Sequence, residues 1–123
     1  MKSMGRNQRL GRWGEGVALS YLEEKGYQVV ERNFRTRFGE IDLIMKKEEL
    51  LVFVEVKTRS GLGFGFPEEA VTANKRLHLL EAIQSYWLLQ PQAEGAWRVD
   101  VVAVVGQPGR ENPQIEHFEN AIT

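Results

Sequence analysis

The chain has no cysteine, which excludes a disulfide framework and any thiolate zinc site. Imidazole is scarce as well. His78 and His117 are the two histidines, and they lie far apart in sequence. A metal bound here would therefore rest mainly on oxygen ligands, a donor set that favours magnesium or manganese. No stretch is long and apolar enough to cross a bilayer. The opening Met1-Lys2-Ser3-Met4-Gly5-Arg6 lacks the apolar core of a signal peptide. These absences lead us to expect an intracellular, cytoplasmic protein with no membrane partner. Repeats, linkers and low-complexity tails are missing too, so the 123 residues are expected to form one domain spanning 1–123.

Net charge is −1, which argues against a protein that coats nucleic acid by bulk charge. Its distribution is uneven. Residues 1–76 carry 14 Lys and Arg against 11 Asp and Glu, while residues 77–123 carry 2 against 6. A local basic surface in the first part is compatible with this, as are solvated faces of mixed charge.

Hydrophobic periodicity predicts a helix near residues 8–25, with Leu10, Trp13, Val17, Tyr21 and Leu22 on one face and Gly26 as its C-cap. Gly11, Gly14 and Gly16 weaken this helix unless its backbone approaches another surface closely. Residues 27–34, 40–44 and 50–57 read as three strands. A Gly-rich stretch from Ser60 to Pro67 follows, expected to be a mobile loop bordering the site. It is no P-loop, because no Gly-Lys-Ser or Gly-Lys-Thr leads into a helix. Phe64 and Phe66 within it could stack on bases or pack beneath the loop. A second helix is expected from about Thr72 to Leu89, burying Leu77, Leu80, Ile83 and Trp87. Trp97 to Val105 forms a fourth strand with a run of valines, and Ile115 to Phe118 a short edge strand. The result is an α/β fold with a mixed sheet flanked by helices, in the order α-β-β-β-α-β(-β).

Three charged groups interrupt the strands that look most buried: Asp42, Glu55 and Lys57. Burying charge is costly unless it is paired or metal-bound. Residues two apart on a strand share a face, so Glu40 pairs with Asp42 and Glu55 with Lys57. Hairpin register decides how the pairs meet. A two-residue turn joining Lys47 to Leu50 puts Asp42 opposite Glu55, and a four-residue turn puts Glu40 there. Cβ atoms across such a ladder are about 5 Å apart, close enough for two carboxylates to share one cation. Glu15 on the first helix is either a helix-dipole glutamate or a fourth carboxylate reaching the same place. Asp100 reads as a partner for Arg98 or another buried cation. Lys75 and Arg76 sit in the first turn of the second helix, where the macrodipole disfavours cations and an anion would relieve the conflict.

An Asp, a following strand ending in Glu-x-Lys and an upstream helical Glu resemble the PD-(D/E)xK nuclease superfamily. Gly39-Glu40-Ile41-Asp42-Leu43-Ile44, Val54-Glu55-Val56-Lys57-Thr58-Arg59, Gly14-Glu15 with Ala18, Ala70-Val71-Thr72 with Lys75, and Arg98-Val99-Asp100-Val101 are similar to its small bacterial YraN-type family. The similarity runs from about Gly11 to the end. The arrangement also resembles that of archaeal Holliday-junction resolvases. Ile41 stands where the superfamily nominally has proline.

The resemblance implies a restriction-endonuclease-like fold, metal ligands at Asp42 and Glu55, Lys57 as catalytic lysine and Glu15 as the helical acid. The expected activity is magnesium- or manganese-dependent hydrolysis of phosphodiesters in DNA, with branched DNA among the candidate substrates. The backbone carbonyl of Val56 is the expected third ligand, Glu40 a reserve ligand, and Lys75, Arg76 and Arg59 the expected nucleic-acid contacts. Resolvase-like relatives are commonly dimers, so a homodimer is compatible with this reading. The alternatives are a non-catalytic nucleic-acid-binding module of the same fold and a protein-interaction domain.

Overall fold

A computed structural model describes residues 5–61, 73–90, 95–110 and 112–121. Helix α1 (Arg6–Glu24) leads into three strands, β1 (Gln28–Thr36), β2 (Gly39–Lys47) and β3 (Leu50–Arg59). Helix α2 (Ala73–Leu89), β4 (Trp97–Val105) and β5 (Gln114–Phe118) complete the order. The five strands form one sheet in sequence order. Neighbours pair antiparallel except β3 and β4, which run parallel because α2 crosses over between them. This is the mixed, helix-flanked sheet that the sequence predicts, with the edge strand β5 present. The Gly-rich segment carrying Phe64 and Phe66 lies outside the described residues.

The two helices pack on opposite faces. On one, Ala18 and Leu22 of α1 meet Leu43, Met45, Val52, Val54, Val102 and Val104. On the other, Leu79, Ala82, Ile83 and Tyr86 of α2 meet Ile41, Ile44, Phe53 and Val99. Central strands covered on both sides explain the continuous apolar runs in β3 and β4.

The buried stripe of α2 includes Ile83, with Trp87 packed against it, as expected, but not Leu77 and Leu80. Leu77 is 55% and Leu80 37% exposed, whereas Leu79, Ala82, Ile83 and Tyr86 are buried. Apolar residues surround this helix, so two stripes fit helical spacing equally well. The observed one places Tyr86 edge-on against both Phe34 and Phe53, and aromatic pairs of this geometry add to plain burial.

Gly14 brings α1 against the sheet. A Cβ at this position would fall 2.7 Å from Thr58 Cγ2 on β3. Gly11 and Gly16 face open space, so close approach accounts for one glycine of the three.

Fully buried Asp100 accepts two hydrogen bonds from Arg98, at 2.7 and 2.8 Å, one from His117 Nε2 at 2.7 Å and one from the Asn120 N–H. Arg98 is its partner, as the sequence suggests.

Candidate metal centre

The site forms where β2 leaves its neighbours. The β2–β3 ladder starts at a two-residue turn, with Lys47 opposite Leu50, and ends at Leu43 opposite Val54. Of the two registers open from sequence, this is the one that continues to Asp42 opposite Glu55. The ladder stops one step short of that pair. Asp42 Oδ2 instead accepts the Val56 N–H at 2.8 Å, so a side chain fills the role of a main-chain acceptor.

Strand β2 also switches faces here. Ile41 lies in the α2 core and Leu43 in the α1 core, although residues two apart on a regular strand share a face. Across from this step, Asn33 of β1 has φ 51°, between the pairs Phe34–Ile41 and Arg32–Leu43. Asparagine tolerates this left-handed conformation better than most residues. Its amide donates to Glu15 Oε1 at 3.0 Å and Glu40 Oε1 at 2.8 Å. One residue thus takes the left-handed conformation in the edge strand and ties helix to sheet.

The consequence is a carboxylate cluster. Oxygens of Glu15, Glu40 and Asp42 lie within 4.8 Å of one another. Glu15 reaches the cluster from α1, and Glu40 and Asp42 come from the part of β2 where the faces switch. Burial pushes the Asp42 pKa up to about 8, helped by the negative charges of Glu55, then Glu15 and Glu40, and opposed by the Val56 N–H. Oxygen donors in this number suit a hard divalent cation such as magnesium or manganese, which would offset the charge they concentrate.

Glu55 and Lys57 share the α2 side of β3. Their side chains form an ion pair of 3.0 Å and are 21% and 18% exposed. Burial works against the Lys57 ammonium, but Glu55, followed by Lys75 and Asp42, together outweigh it, and the lysine holds its proton more tightly than usual. Both residues line a cleft of about 200 Å³ with Lys75 and His78 of α2. Among the described residues, Arg59 and Arg76 do not line it. Arg76 is exposed on α2, and Arg59 lies at the end of β3 opposite Val105.

Two participants were not apparent in the sequence. Asn33 left a trace, since asparagine is depleted in strands and interrupts a Val- and aromatic-rich segment. His78 left a weaker one, three residues after Lys75 and hence on the same helical face.

The model of the uncharacterised protein family UPF0102 matches residues 14–104. A UPF0102 protein of Syntrophomonas wolfei is 45% identical over 115 residues, covering 94% of this chain and 98% of that protein. One of Rhodococcus opacus is 47% identical over 121 residues, covering 96% and 99%. One of Chloroherpeton thalassium is 41% identical over 117 residues, covering 95% and 91%. The family model covers most of the chain and the relatives nearly all of it, and the chain belongs to the uncharacterised protein family UPF0102.

Proposed function

We propose that this protein is a divalent-metal-dependent endonuclease of the PD-(D/E)xK type that hydrolyses phosphodiesters in DNA. One observation carries the reading: the Glu15, Glu40 and Asp42 carboxylates gather within 4.8 Å, beside a Glu55–Lys57 pair on the adjoining strand.

Asp42 and Glu55 would hold the cation, with Glu15, Glu40 and the Val56 carbonyl as further donors. Bound magnesium or manganese would supply charge neutralisation at the phosphate and a more acidic water. The chain's own residues do the rest. Asn33 holds Glu15 and Glu40 in place through its amide. The Val56 N–H fixes Asp42. Lys57 places an ammonium beside the acids, where it stabilises negative charge developing on phosphate oxygens. Such a protein would work in the cytoplasm, on branched or linear DNA, as a monomer or a homodimer.

A binding module without catalysis is the second reading. It is favoured by the exposed Arg32, Arg35 and Arg37 along β1 and its turn. One experiment separates the two. Linear, single-stranded and branched DNA are incubated with protein and magnesium or manganese, with EDTA as control. The nuclease reading requires cleavage that disappears in EDTA, in Asp42→Asn and in Lys57→Ala. Cleavage that survives in these variants belongs to a contaminant and counts against it. Retention of DNA without cutting, falling steeply with salt, supports the binding module. A protein that neither cuts nor retains DNA is left with protein interaction.

A further inference from the structure

A trough of about 510 Å³ runs along the outer side of α1, with Ile115 of β5 as its far wall. Side chains four apart form ridges on a helix. Trp13, Val17 and Tyr21 make one ridge, and Arg12, Gly16, Ser20 and Glu24 make the next. The first ridge is half-buried against the core beneath α1. The second is small in the middle: a Cβ at Gly16 would meet nothing within 4 Å. A small molecule would need polar groups aimed into such a space. Among the described residues, no buried side-chain nitrogen or oxygen lacks a hydrogen-bond partner. A shallow aromatic face of this kind suits contact with protein instead.

The charges at the two ends of the second ridge are of opposite sign. Arg12 and Glu24 are both exposed, and among the described residues neither forms an ion pair. Twelve residues of helix hold them about 18 Å apart, too far to reach each other. Lys25, next to Glu24, lies over the Tyr21 ring instead, 4.8 Å from its centroid. Glu24 is also the last residue of α1, the end where the macrodipole favours a cation. A second copy of the helix, laid antiparallel in the trough, answers each of these points. A two-fold axis level with the midpoint between Gly16 and Ser20 brings Arg12 of each copy to the partner's Glu24 and sets Gly16 against the partner's Ser20. Small residues at the crossing let the two helix axes approach, so that Trp13 and Val17 exchange water for the partner helix.

We propose that the chain forms a two-fold homodimer through this face of α1, with the helices antiparallel and an Arg12–Glu24 pair at each end of the contact. The proposal is independent of the nuclease reading and compatible with it. β1 and β5 are opposite edges of the sheet. Glu15 turns toward Asn33 of β1, whereas the trough adjoins Ile115 of β5, so pairing leaves the carboxylates accessible.

The test is sedimentation velocity of the full chain from about 1 μM to about 1 mM, a range that covers weak and moderate association. Wild type is expected to pass from monomer to dimer within it. Arg12→Glu and Glu24→Arg each turn two attractive pairs into two repulsive ones and should raise the dissociation constant about tenfold or more. An equimolar mixture of these two variants should recover dimers of wild-type affinity, because each glutamate of one chain then meets an arginine of the other. The double variant Arg12→Glu/Glu24→Arg should recover them as well. Gly16→Leu should abolish the dimer by holding the helices apart. Arginine and glutamate are both good helix formers and Arg12 and Glu24 are exposed, so the reversals should fold, which thermal melts at low protein concentration check. Arg12→Ala or Glu24→Ala replaces a reversal that melts early, with an expected loss of about threefold. The proposal is overturned if wild type stays monomeric throughout. It is overturned equally if the reversals dimerise like wild type, which would place the contact on another surface, or if mixing the two single variants recovers nothing.

Discussion

The carboxylate of Asp42 accepts a hydrogen bond of 2.8 Å from the backbone N–H of Val56, at the step where the β2–β3 ladder ends. A side chain that closes a ladder in this way belongs to the scaffold as well as to the site. The two roles conflict, because the same carboxylate sits among Glu55, Glu15 and Glu40.

Asp42→Asn separates them. Asparagine keeps an acceptor for the Val56 N–H and removes a carboxyl group that the folded protein must hold largely protonated at neutral pH, its pKa well above the ordinary range. In EDTA the variant should be more stable than wild type at neutral pH by about 1–3 kcal/mol. Added magnesium or manganese should raise the melting temperature of wild type and leave the variant nearly unchanged. Melting curves with and without metal check both statements. A variant that is less stable than wild type in EDTA would mean that Asp42 serves the fold alone.

Asn33 allows backbone and side chain to be tested apart. Asn33→Gly accepts φ 51° without strain but loses the amide that holds Glu15 and Glu40. It should fold, with a stability change of about 1 kcal/mol or less, and bind metal about tenfold more weakly, as expected when a group that orients ligands is lost. Asn33→Val puts a β-branched residue into the left-handed region and should cost about 1–3 kcal/mol in addition. Denaturant melts report the first quantity and calorimetric metal titration the second.

The contrast between Asp42 and Asn33 explains how much could be read in advance. Strands, helices and their order follow from residue periodicity, which is local. The Lys47–Leu50 turn is local as well, and the sequence is compatible with it and with one longer turn. Partial burial of Asp42 and Glu55 is legible because charge stands out against valine and isoleucine. The face switch between Ile41 and Leu43 is not, since it lies across from left-handed Asn33 on another strand, and no pattern within either segment records that. Helix α2 shows the same limit. Leu77, Leu80 and Leu79 are equally apolar, and the choice between stripes is made by Phe34 and Phe53 on distant strands.

Helix α1 offers an internal control. At Gly14 a methyl group would collide with Thr58, whereas at Gly16 it would meet nothing within 4 Å. Gly14→Ala should therefore destabilise by about 1–3 kcal/mol through overpacking. Gly16→Ala should stabilise by about 0.5–1 kcal/mol through helix propensity. Thr58→Ala in the Gly14→Ala background should recover part of the loss, a coupling that a double-mutant cycle measures. Gly14 precedes Glu15, so the same substitution should also weaken metal binding. Equal effects of the two glycine substitutions on stability would refute the close contact between α1 and β3.

Acid should attack this fold through Asp100. Burial alone would raise its pKa, but hydrogen bonds from His117, the Arg98 guanidinium and the Asn120 N–H overcome that and hold it below the ordinary 3.8. With the folded value depressed, the unfolded chain binds more protons than the folded one as pH drops below about 4. The stability that Asp100 contributes is thus fully present above that range and is lost as pH falls through the folded value. Asp100→Asn should flatten this part of the pH–stability curve. It should also cost about 2–4 kcal/mol at pH 7, because Arg98, 19% exposed, would lose its buried carboxylate and keep only the looser pair of 3.6 Å with exposed Glu119. Urea melts between pH 3 and pH 7 measure the slope and the offset together. A variant as stable as wild type at pH 7, with the same acid limb, would show that the network fills space without contributing charge pairing.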